Sequence, residues 1–517
     1  MVFGFDGTTA TKEIKELIRE NKVGSIILFG RNIGTPYDVL RLTRELQTEA
    51  YNSGHPYPLL ICTDQENGVV RRLGEGATLF PGEMLLGAAG QPELAHDIGV
   101  ATGKELNALG INWNLSPVLD VNNNPLNPVI GVRSFGENPE HVSTLGRNLM
   151  KGMQEAGIMT TLKHFPGHGD TDIDSHLDLP TIRHSIERLD DIELKPFKDC
   201  IENGADTVMT AHVYFPAYEK EDRTPATISK DVITGLLRNK LQFSGVVTTD
   251  CLEMNAIKDT IGTPKGALEA LKAGVDLIMI SHSYPLQTAA LDEILKAVES
   301  GELEETVLDD ALNRVIQLKE KYLSFESLNL DDPCMVPDVV GCKEHKLLAE
   351  KVYRQGITVV KDQNILPLSN HPESRVLVLY PENSSTMQVE DKRYSAYSLG
   401  RAVQDIHPVA DSYCFSTAKL NNEIEDITNR AKGYDVIIIG TMSVKKGDLQ
   451  IQLVQQIKNI CSKTIVLALR NPYDIGFFSD IPCYLATYEF SLPALEMAAK
   501  VLYGMEEAGG KLPVTIQ

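Results

Sequence analysis

The sequence predicts two α/β domains, an N-terminal (β/α)8 barrel of the TIM type followed by an α/β/α sandwich. Over residues 1–325, eight short apolar runs alternate with longer amphipathic stretches. Most of these runs are continuously apolar, which is typical of parallel strands that are covered on both faces of a sheet. The chain is 517 residues long, whereas a single hydrophobic core rarely organises more than about 250–300 residues.

Eight predicted strands build the first domain, and helical patterns separate them. In chain order the strands are Met1–Phe5, Ser25–Phe29, Leu59–Asp64, Ile111–Asp120, Ile158–Phe165, Thr207–Val213, Gly245–Asp250 and Leu277–Ser281. The clearest helical patterns are Thr11–Glu20, Tyr37–Tyr51, Pro92–Leu109, His141–Glu155 and Ser229–Asn239. Strands and helices that alternate in this way over about 325 residues are the sequence pattern of a (β/α)8 barrel.

The barrel domain is predicted to span residues 1–325 and to end with the charge-rich helix Leu308–Tyr322. The Asp- and Pro-rich segment at 326–341 is typical of an interdomain linker. Residues 342–517 begin with a helical pattern and continue with the apolar runs ITVVKD, RVLVLY, DVIIIG and TIVLALR. We expect these runs to be buried parallel strands of an α/β sandwich. This second domain either supports the barrel structurally or caps one side of its mouth.

Composition argues against several classes of function. The formal net charge is −22 and the pI is about 5.0, so a basic surface for nucleic acid is not expected. No run approaches the roughly 18 apolar residues that a membrane span requires. The N-terminus shows no basic segment followed by an apolar one, which predicts a cytoplasmic protein, although a segment upstream of MVFGFDG is left open. The eight cysteines are scattered without a CxxC pair, which favours buried, reduced thiols.

Polar side chains close several of the predicted barrel strands. They are Asp64, Asp120, Lys163, His164, His212 and Asp250. Active sites of such barrels lie at the carboxyl ends of the strands, where the loops between strand and helix meet. We therefore expect these side chains to gather at one face of the barrel and to form a functional site there.

The densest group of polar side chains is the loop KHFPGHGDTDIDSH at residues 163–176. One interpretation makes His164, His168 and His176 ligands of a metal ion, since imidazole binds zinc or iron. The other pairs Asp174 with His176, so that the carboxylate orients the imidazole for proton transfer. The irregular spacing of the histidines and the lack of an HExxH helix favour the Asp–His pair.

Asp250 ends the apolar run GVVTTD. A carboxylate at the mouth of a barrel is suited to attack the anomeric carbon of a sugar. Alternatively, this aspartate could cap the helix that follows it. Its position on the same rim as Asp174 and His176 favours the catalytic interpretation.

Five segments carry a specific resemblance to a known family. They are TDQENGVVRRL (63–73), LSPVLDVNNNP (115–125), GVRSFGENP (131–139), KHFPGHGDTDIDSH (163–176) and TTDCLEM (248–254). Their order and spacing resemble the two-domain β-N-acetylglucosaminidases of glycoside hydrolase family 3, and the resemblance covers the whole barrel. Most β-glucosidases of that family lack the KHFPGHG…DSH loop, so the loop favours the N-acetylglucosaminidases.

The resemblance implies a role for each matched residue. Asp250 would be the nucleophile, His176 the general acid and base, and Asp174 the partner of His176. Sugar hydroxyls would be bound by Asp64, Arg72, Arg133, Lys163 and His164. Residues that either support the site from behind or organise its loops are Asp120, His168, Asp170 and His212.

Some of these residues also allow a purely structural interpretation. Asp64 and Arg72 could form a surface ion pair, and Arg133 could anchor a loop. Two positions depart from the family pattern, because Cys251 stands where a second Asp or a Ser is common, and Asn67 where Gly is common. We expect neither departure to change the mechanism.

The resemblance implies a retaining exo-β-N-acetylglucosaminidase that needs neither a cofactor nor a metal ion. Its partner would be a small carbohydrate with terminal β-GlcNAc, such as a chitin oligosaccharide or a peptidoglycan fragment. The alternatives are a phosphorylase of the same glycosides, a broader β-glucosidase, a metal-dependent hydrolase and a non-catalytic sugar-binding protein. Nucleic-acid and membrane partners are not expected, and the sequence leaves the oligomeric state open.

Overall fold

A computed structural model describes residues 1–328, 330, 333–383, 389–390 and 398–516 of the chain. Two β-sheets organise these residues, a parallel sheet of eight strands and a mixed sheet of six. The predicted succession of a barrel and an α/β sandwich is confirmed.

The barrel is a closed ring of parallel strands. In chain order they are β1 (Val2–Phe3), β2 (Ser25–Leu28), β3 (Leu60–Thr63), β4 (Trp113–Asn114), β5 (Met159–Phe165), β6 (Thr207–Thr210), β7 (Val246–Thr249) and β8 (Met279–Ile280). Consecutive strands from β1 to β7 pair in parallel, and β8 pairs with β1. A parallel bridge between Thr248 and Leu277 joins β7 to the chain entering β8 and closes the ring.

Strand β4 is shorter than the predicted run Ile111–Asp120. Pro117 lies within that run and has no N–H to donate to a β-ladder. The Asn114 side chain instead exchanges two hydrogen bonds with the backbone of Gln65, each of 3.0 Å. These bonds tie the end of β4 to the loop that follows β3.

Helices surround the ring of strands. They are Lys12–Arg19, Pro36–Asn52, Glu83–Ala89, Pro92–Ala108, Pro139–Glu155, Ile186–Asp191, Lys195–Glu202, Asp231–Lys240, Asn255–Lys258, Thr263–Ala273, Tyr284–Glu299 and Glu305–Tyr322. The helix predicted at Ser229–Asn239 is a π-helix. Among the described residues, no helix is both long and apolar enough to cross a membrane.

The second sheet has the spatial strand order β11-β10-β12-β13-β14-β9. Its strands are β9 (Thr358–Asp362), β10 (Val376–Pro381), β11 (Asp411–Phe415), β12 (Val436–Thr441), β13 (Thr464–Ala468) and β14 (Cys483–Ala486). The accompanying helices are Lys343–Gly356, Leu399–Gln404, Leu420–Arg430, Leu449–Ile460 and Leu492–Leu502. The prediction that all four apolar runs are parallel is wrong for β9, which is antiparallel to β14. A continuous apolar run is typical of parallel strands, but it reports burial on both faces and does not by itself fix the direction of a strand.

All eight cysteines are free thiols, as expected, but three of them are not buried. Cys414 is exposed, whereas Cys334 and Cys342 are half-buried. Cys414 lies on β11, which is at the edge of the second sheet and is largely exposed. The expectation of burial is therefore wrong for these three thiols, and the cytoplasmic location stays a prediction.

A buried carboxylate of the second domain joins it to the barrel. Glu489 Oε2 accepts a hydrogen bond from the backbone N–H of Gly82 at 3.0 Å. Glu489 Oε1 accepts from the Tyr353 and Ser491 hydroxyls, both at 2.6 Å. Burial raises the pKa of Glu489 above its ordinary value. Because Gly82 ends the long loop after β3, this contact braces the loop that carries Asp64.

Tyr353→Phe is expected to lower the free energy of unfolding by about 1–3 kcal/mol, because a buried acceptor loses one of its donors. Urea or thermal unfolding measures this change. The matched control is Tyr37→Phe, at a tyrosine that is 49% exposed, which should alter stability by no more than about 0.5 kcal/mol. Equal stability of the two variants would contradict the role given to Glu489.

Candidate active site

A cavity of about 620 Å³ opens at the carboxyl ends of the barrel strands. Among the residues predicted for the site, those that line it are Asp64, Arg72, Arg133, Lys163, His164, His168, His176 and Asp250. Asp120, Asp174 and His212 lie behind this wall, and each is hydrogen-bonded to a residue that lines it. The strand-end side chains thus gather at one face of the barrel, as the sequence predicts.

Five buried charged side chains form a cluster at the cavity, of which Glu66 lies behind the four that line it. Lys163 Nζ donates to Asp64 Oδ1 at 2.8 Å and lies 2.6 Å from Glu66 Oε1. Arg133 Nε and Nη2 donate to the two Glu66 oxygens at 2.8 and 2.7 Å. Arg72 Nη2 lies 3.5 Å from Asp64 Oδ2. The Asp64–Arg72 pair considered from sequence therefore exists, but it is buried in the cavity wall and is not on the surface.

Glu66 is the member of this cluster that the sequence analysis did not single out. The available signal was a second carboxylate two residues after Asp64, in the same loop after a strand. Burial favours the protonated form of Glu66, but the charges of Arg133 and Lys163 hold its pKa below the ordinary value. Burial likewise opposes the charge of Lys163, yet Asp64 and Glu66 raise its pKa. Glu66 and Lys163 therefore both favour their charged forms in the folded protein.

His164 is held by a fully buried aspartate. Its Nδ1 lies 2.7 Å from Asp120 Oδ2, and the His168 backbone N–H donates to Asp120 Oδ1 at 2.7 Å. Burial favours the neutral form of Asp120, but His164 and His168 lower its pKa on balance. Asp120 thus fixes both the orientation of the His164 ring and the backbone that leads into the polar loop.

The predicted Asp174–His176 pair is present. His176 Nδ1 lies 2.7 Å from Asp174 Oδ1, which also accepts from the His176 backbone N–H at 2.9 Å. Burial opposes the charged form of His176, but the hydrogen bond and charge of Asp174 raise its pKa above the ordinary value. Burial also disfavours the Asp174 carboxylate, and the same pairing lowers its pKa. This geometry leaves His176 Nε2 as the nitrogen that can transfer a proton at the cavity.

His168 braces the loop and does not act as a metal ligand together with the other two histidines. Its Nδ1 lies 2.8 Å from Thr171 Oγ1 and its Nε2 2.9 Å from Ser175 Oγ. Burial lowers the pKa of His168 to about 4, so the ring is neutral and uses both nitrogens in hydrogen bonds. Within the described residues, His164, His168 and His176 do not form a group of mutually close ligand atoms. The geometry therefore favours the Asp–His pair over the metal interpretation.

The loop needs glycine at positions 167 and 169, for a different structural reason at each. Gly167 has a φ of +133°, in the region that side chains rarely adopt. A Cβ atom at Gly169 would overlap the carbonyl oxygen of Val121. Asn127 Nδ2 secures this close approach by donating to the carbonyl oxygens of His168 and Gly169, each at 2.9 Å.

Asp170 is not among the residues that line the cavity. Its Oδ2 lies 2.5 Å from His184 Nε2 and 3.7 Å from Arg188 Nη2. Arg188 Nη1 in turn donates to Glu193 Oε1 at 2.9 Å. Asp170 therefore fastens the far side of the loop to the chain that follows it. Of the two roles predicted for Asp170, this contact corresponds to the organisation of the loop.

Asp250 lines the cavity and its Oδ1 accepts from the Cys251 backbone N–H at 2.7 Å. His212 holds this turn from behind, since its Nε2 lies 3.0 Å from Cys251 O and its Nδ1 lies 2.7 Å from Thr227 Oγ1. Burial acts to raise the pKa of Asp250, but His212 and neighbouring histidines lower it overall. The capping alternative is wrong, because the N-cap of the next helix is Met254.

The wall also contains residues that the sequence analysis missed. Val389 and Glu390 come from the second domain, and Arg72 Nη2 donates to Val389 O at 3.2 Å. The second domain therefore contributes to the cavity as well as supporting the barrel. Three further missed residues with ionisable side chains follow β2, β7 and β8, where strand-end position was again the available signal: Arg31, Glu253 and His282.

Comparisons with known proteins cover both domains. The glycosyl hydrolase family 3 N terminal domain matches residues 4–318, and the glycosyl hydrolase family 3 C-terminal domain matches residues 357–517. Beta-hexosaminidase A of Pseudoalteromonas piscicida is 32% identical, over 98% of this chain and 92% of its own. A family 3 beta-N-acetylglucosaminidase from Paenibacillus sp. str. FPU-7 superposes with a TM-score of 0.93 at 40% identity, over 100% of this chain and 97% of that chain. A fungal multi-domain family 3 beta-N-acetylglucosaminidase gives a TM-score of 0.91 at 40% identity, over 100% of this chain and 60% of that chain.

A closed parallel barrel, a sandwich domain and a carboxylate-lined cavity at the strand ends define a two-domain glycoside hydrolase. The chain belongs to glycoside hydrolase family 3, and the family resemblance seen in its sequence is confirmed. Between the two matched domains lie residues 319–356, which include the segment predicted as a linker.

Glu66→Gln is expected to lower the free energy of unfolding by about 3–5 kcal/mol, because Lys163 and Arg133 then stay buried with one counter-charge fewer. Thermal unfolding at neutral pH measures the loss. The control is Glu16→Gln, at an exposed glutamate of the first helix, which should change stability by about 0.5 kcal/mol or less. If the two variants unfold alike, the buried cluster does not carry the stability assigned to it.

Proposed function

We propose that this protein is a retaining exo-β-N-acetylglucosaminidase that removes terminal β-GlcNAc from small carbohydrates. The observation that carries the proposal is the convergence of the Asp174–His176 pair and the Asp250 carboxylate on one cavity. The activities named for family 3 relatives at 32% and 40% identity support the same reaction.

In the first step, Asp250 attacks the anomeric carbon while the bond from that carbon to the departing oxygen breaks. His176 gives its proton to the departing oxygen, so the leaving group is released as a neutral alcohol. The products of this step are a glycosyl ester on Asp250 and a neutral imidazole. The lowered pKa of Asp250 and the raised pKa of His176 favour the protonation states that this step needs.

In the second step, a water oxygen attacks the anomeric carbon and His176 accepts the proton that the water loses. The ester bond breaks and Asp250 recovers its carboxylate. Two displacements at the same carbon return the sugar with its β configuration. Asp174 keeps the Nδ1 side of the ring occupied throughout and stabilises the imidazolium when it forms.

Substrate binding is assigned to charged groups that are already in place in the wall. Asp64 accepts from sugar hydroxyls, while Arg72, Arg133, Lys163 and His164 donate to them. Each charge-assisted hydrogen bond of this kind contributes about 1.5–3 kcal/mol. Because their mutual contacts fix these side chains before the sugar arrives, little ordering remains to oppose binding.

Chitin oligosaccharides and peptidoglycan fragments are the proposed substrates, since both present terminal β-GlcNAc. The assigned sugar contacts all fall on the terminal residue of the substrate, so discrimination between the two rests with other parts of the wall. Val389 and Glu390 of the second domain belong to those parts.

Aryl β-GlcNAc should be hydrolysed in strong preference to matched β-GalNAc and β-glucose substrates, with the β-anomer as first product by NMR. His176→Ala should lower kcat/KM about 100- to 10,000-fold on an alkyl glycoside, which needs protonation of its leaving oxygen. A dinitrophenyl glycoside needs no such proton, so its loss should be far smaller.

Asp250→Ala is the reference variant for this experiment and should lose turnover on both glycosides. Equal losses of His176→Ala on both would refute His176 as the acid, and an α-anomer formed first would refute double displacement. Formation of GlcNAc-1-phosphate at high phosphate would point instead to the phosphorylase alternative.

The pH dependence follows from the raised pKa of His176, which Asp174 maintains against the effect of burial. The first step uses protonated His176, so kcat/KM should be full below that pKa and fall as the pH rises through it. Asp174→Asn removes the charge that raises this pKa, and the alkaline limb should move to lower pH. Asp172→Asn, at an exposed position of the same loop, should leave the limb in place. An unshifted limb in Asp174→Asn would refute the pairing.

A further inference from the structure

We propose that the rim of the cavity also holds a binding site for a divalent transition-metal ion of the zinc class, formed by Cys251, Glu253 and His282. One sulfur, one carboxylate oxygen and one ring nitrogen of these side chains lie within 4.8 Å of one another. All three residues line the cavity, so an ion can reach them from solvent. Binding of this ion does not depend on the proposed function.

The three side chains suit zinc in chemical type and in number. Thiolate, imidazole and carboxylate are the ligands that zinc takes in proteins, and thiolate disfavours magnesium and calcium. Three protein ligands leave a fourth tetrahedral position, which here faces an open cavity. The thiolate and the carboxylate together also neutralise the charge of a divalent ion.

Glu253 is fixed in place before any ion binds. Its Oε2 accepts from the backbone N–H groups of Ser281 and His282 at 2.8 and 2.7 Å, and its Oε1 accepts from that of Ser283 at 3.0 Å. These bonds join the turn after β7 to the turn after β8. Oε2 already accepts two of these bonds, whereas Oε1 accepts one and keeps a lone pair for an ion. Ligands that are oriented in this way bind metal more tightly.

The side chains around Cys251 and His282 are also consistent with a ligand. The His282 ring has no hydrogen bond among the described residues and packs on Phe29, with 5.2 Å between ring centroids. The buried Ser281 hydroxyl lies beside the Cys251 thiol. It could donate to the sulfur of a metal-bound thiolate.

Binding must displace the thiol proton of Cys251. Burial raises the pKa of this thiol to about 12, and the nearby charges of Glu253 and Asp250 act in the same direction, against the Ser281 hydroxyl. Arg31 is the positive charge that also faces the thiol.

An ion at this site would stand beside the proposed nucleophile. Cys251 follows Asp250 directly and donates its backbone N–H to that carboxylate at 2.7 Å. Zinc would attract the carboxylate and obstruct this side of the cavity, so we expect it to inhibit hydrolysis. This consequence rests on the proposed function, whereas zinc binding itself does not.

The test titrates the full chain, stripped with EDTA, with Zn²⁺ by calorimetry and with Co²⁺ by absorption spectroscopy. Wild type should bind one Zn²⁺ at this site and show thiolate-to-cobalt charge transfer. Cys251→Ser and His282→Ala should each weaken Zn²⁺ binding about tenfold or more, and Cys251→Ser should abolish the charge-transfer band. Cys414→Ser removes the exposed thiol of β11 and is the matched control, which should bind as wild type does.

Zn²⁺ affinity that is equal in wild type, Cys251→Ser and His282→Ala would overturn the proposal, as would no binding to wild type. Loss of binding in Cys414→Ser would place the ion elsewhere and overturn it equally. Binding that depends on Cys251 and His282 supports the site even if hydrolysis of β-GlcNAc is not detected. Inhibition by zinc that disappears in Cys251→Ser would further support its position beside Asp250.

Discussion

Glu66 bonds to both Lys163 and Arg133 at distances of 2.6 to 2.8 Å and is buried behind the side chains that line the cavity. Each of these side chains would resist ionisation if it were buried alone. Glu66, Lys163 and Arg133 stay charged because Glu66 supplies the counter-charge of the two cations and they supply its own. The cavity can therefore offer charged hydrogen-bonding groups to a neutral ligand while the barrel remains closely packed around them.

The same carboxylate-and-imidazole pairing occurs three times around the polar loop, with a different consequence each time. Asp120 is fully buried and fixes His164 in the wall. The Asp170–His184 pair lies away from the cavity and fastens the loop. The Asp174–His176 pair presents a ring to the cavity beside Asp250, with Nδ1 held by Asp174 and Nε2 left for proton transfer. The chemistry of a pair is thus set by its surroundings rather than by its residue types.

The second domain contacts the site at two places, one behind the cavity wall and one at the cavity itself. Glu489 braces the loop after β3 from behind, through Gly82, and Val389 accepts from Arg72 at the cavity. Both contacts act on the loop that carries Asp64 and Glu66. The sandwich therefore belongs to the physical environment of the sugar-binding wall, even though the residues assigned to bond rearrangement all come from the barrel.

Sequence periodicity was sufficient to predict the barrel strands. Parallel strands that are covered on both faces are continuously apolar, and a short stretch of sequence is enough to show this pattern. Periodicity was insufficient for β9, whose direction it does not encode, and for β11 and β14, whose short or exposed runs resemble loops. The loop 163–176 and Asp250 were recognisable as candidates because their residue types and strand-end positions are written in the chain.

By itself, the sequence determined the fold class, the face of the barrel that holds the site and most of the side chains that meet there. Tertiary structure alone decided which of these side chains contact one another. Glu66 meets Arg133 across 67 residues of chain and Glu489 meets Gly82 across 407, while Cys251, Glu253 and His282 meet because β7 and β8 are neighbours. Contacts of this kind arise when the ring closes and the domains pack, and no local pattern of residues encodes such distances.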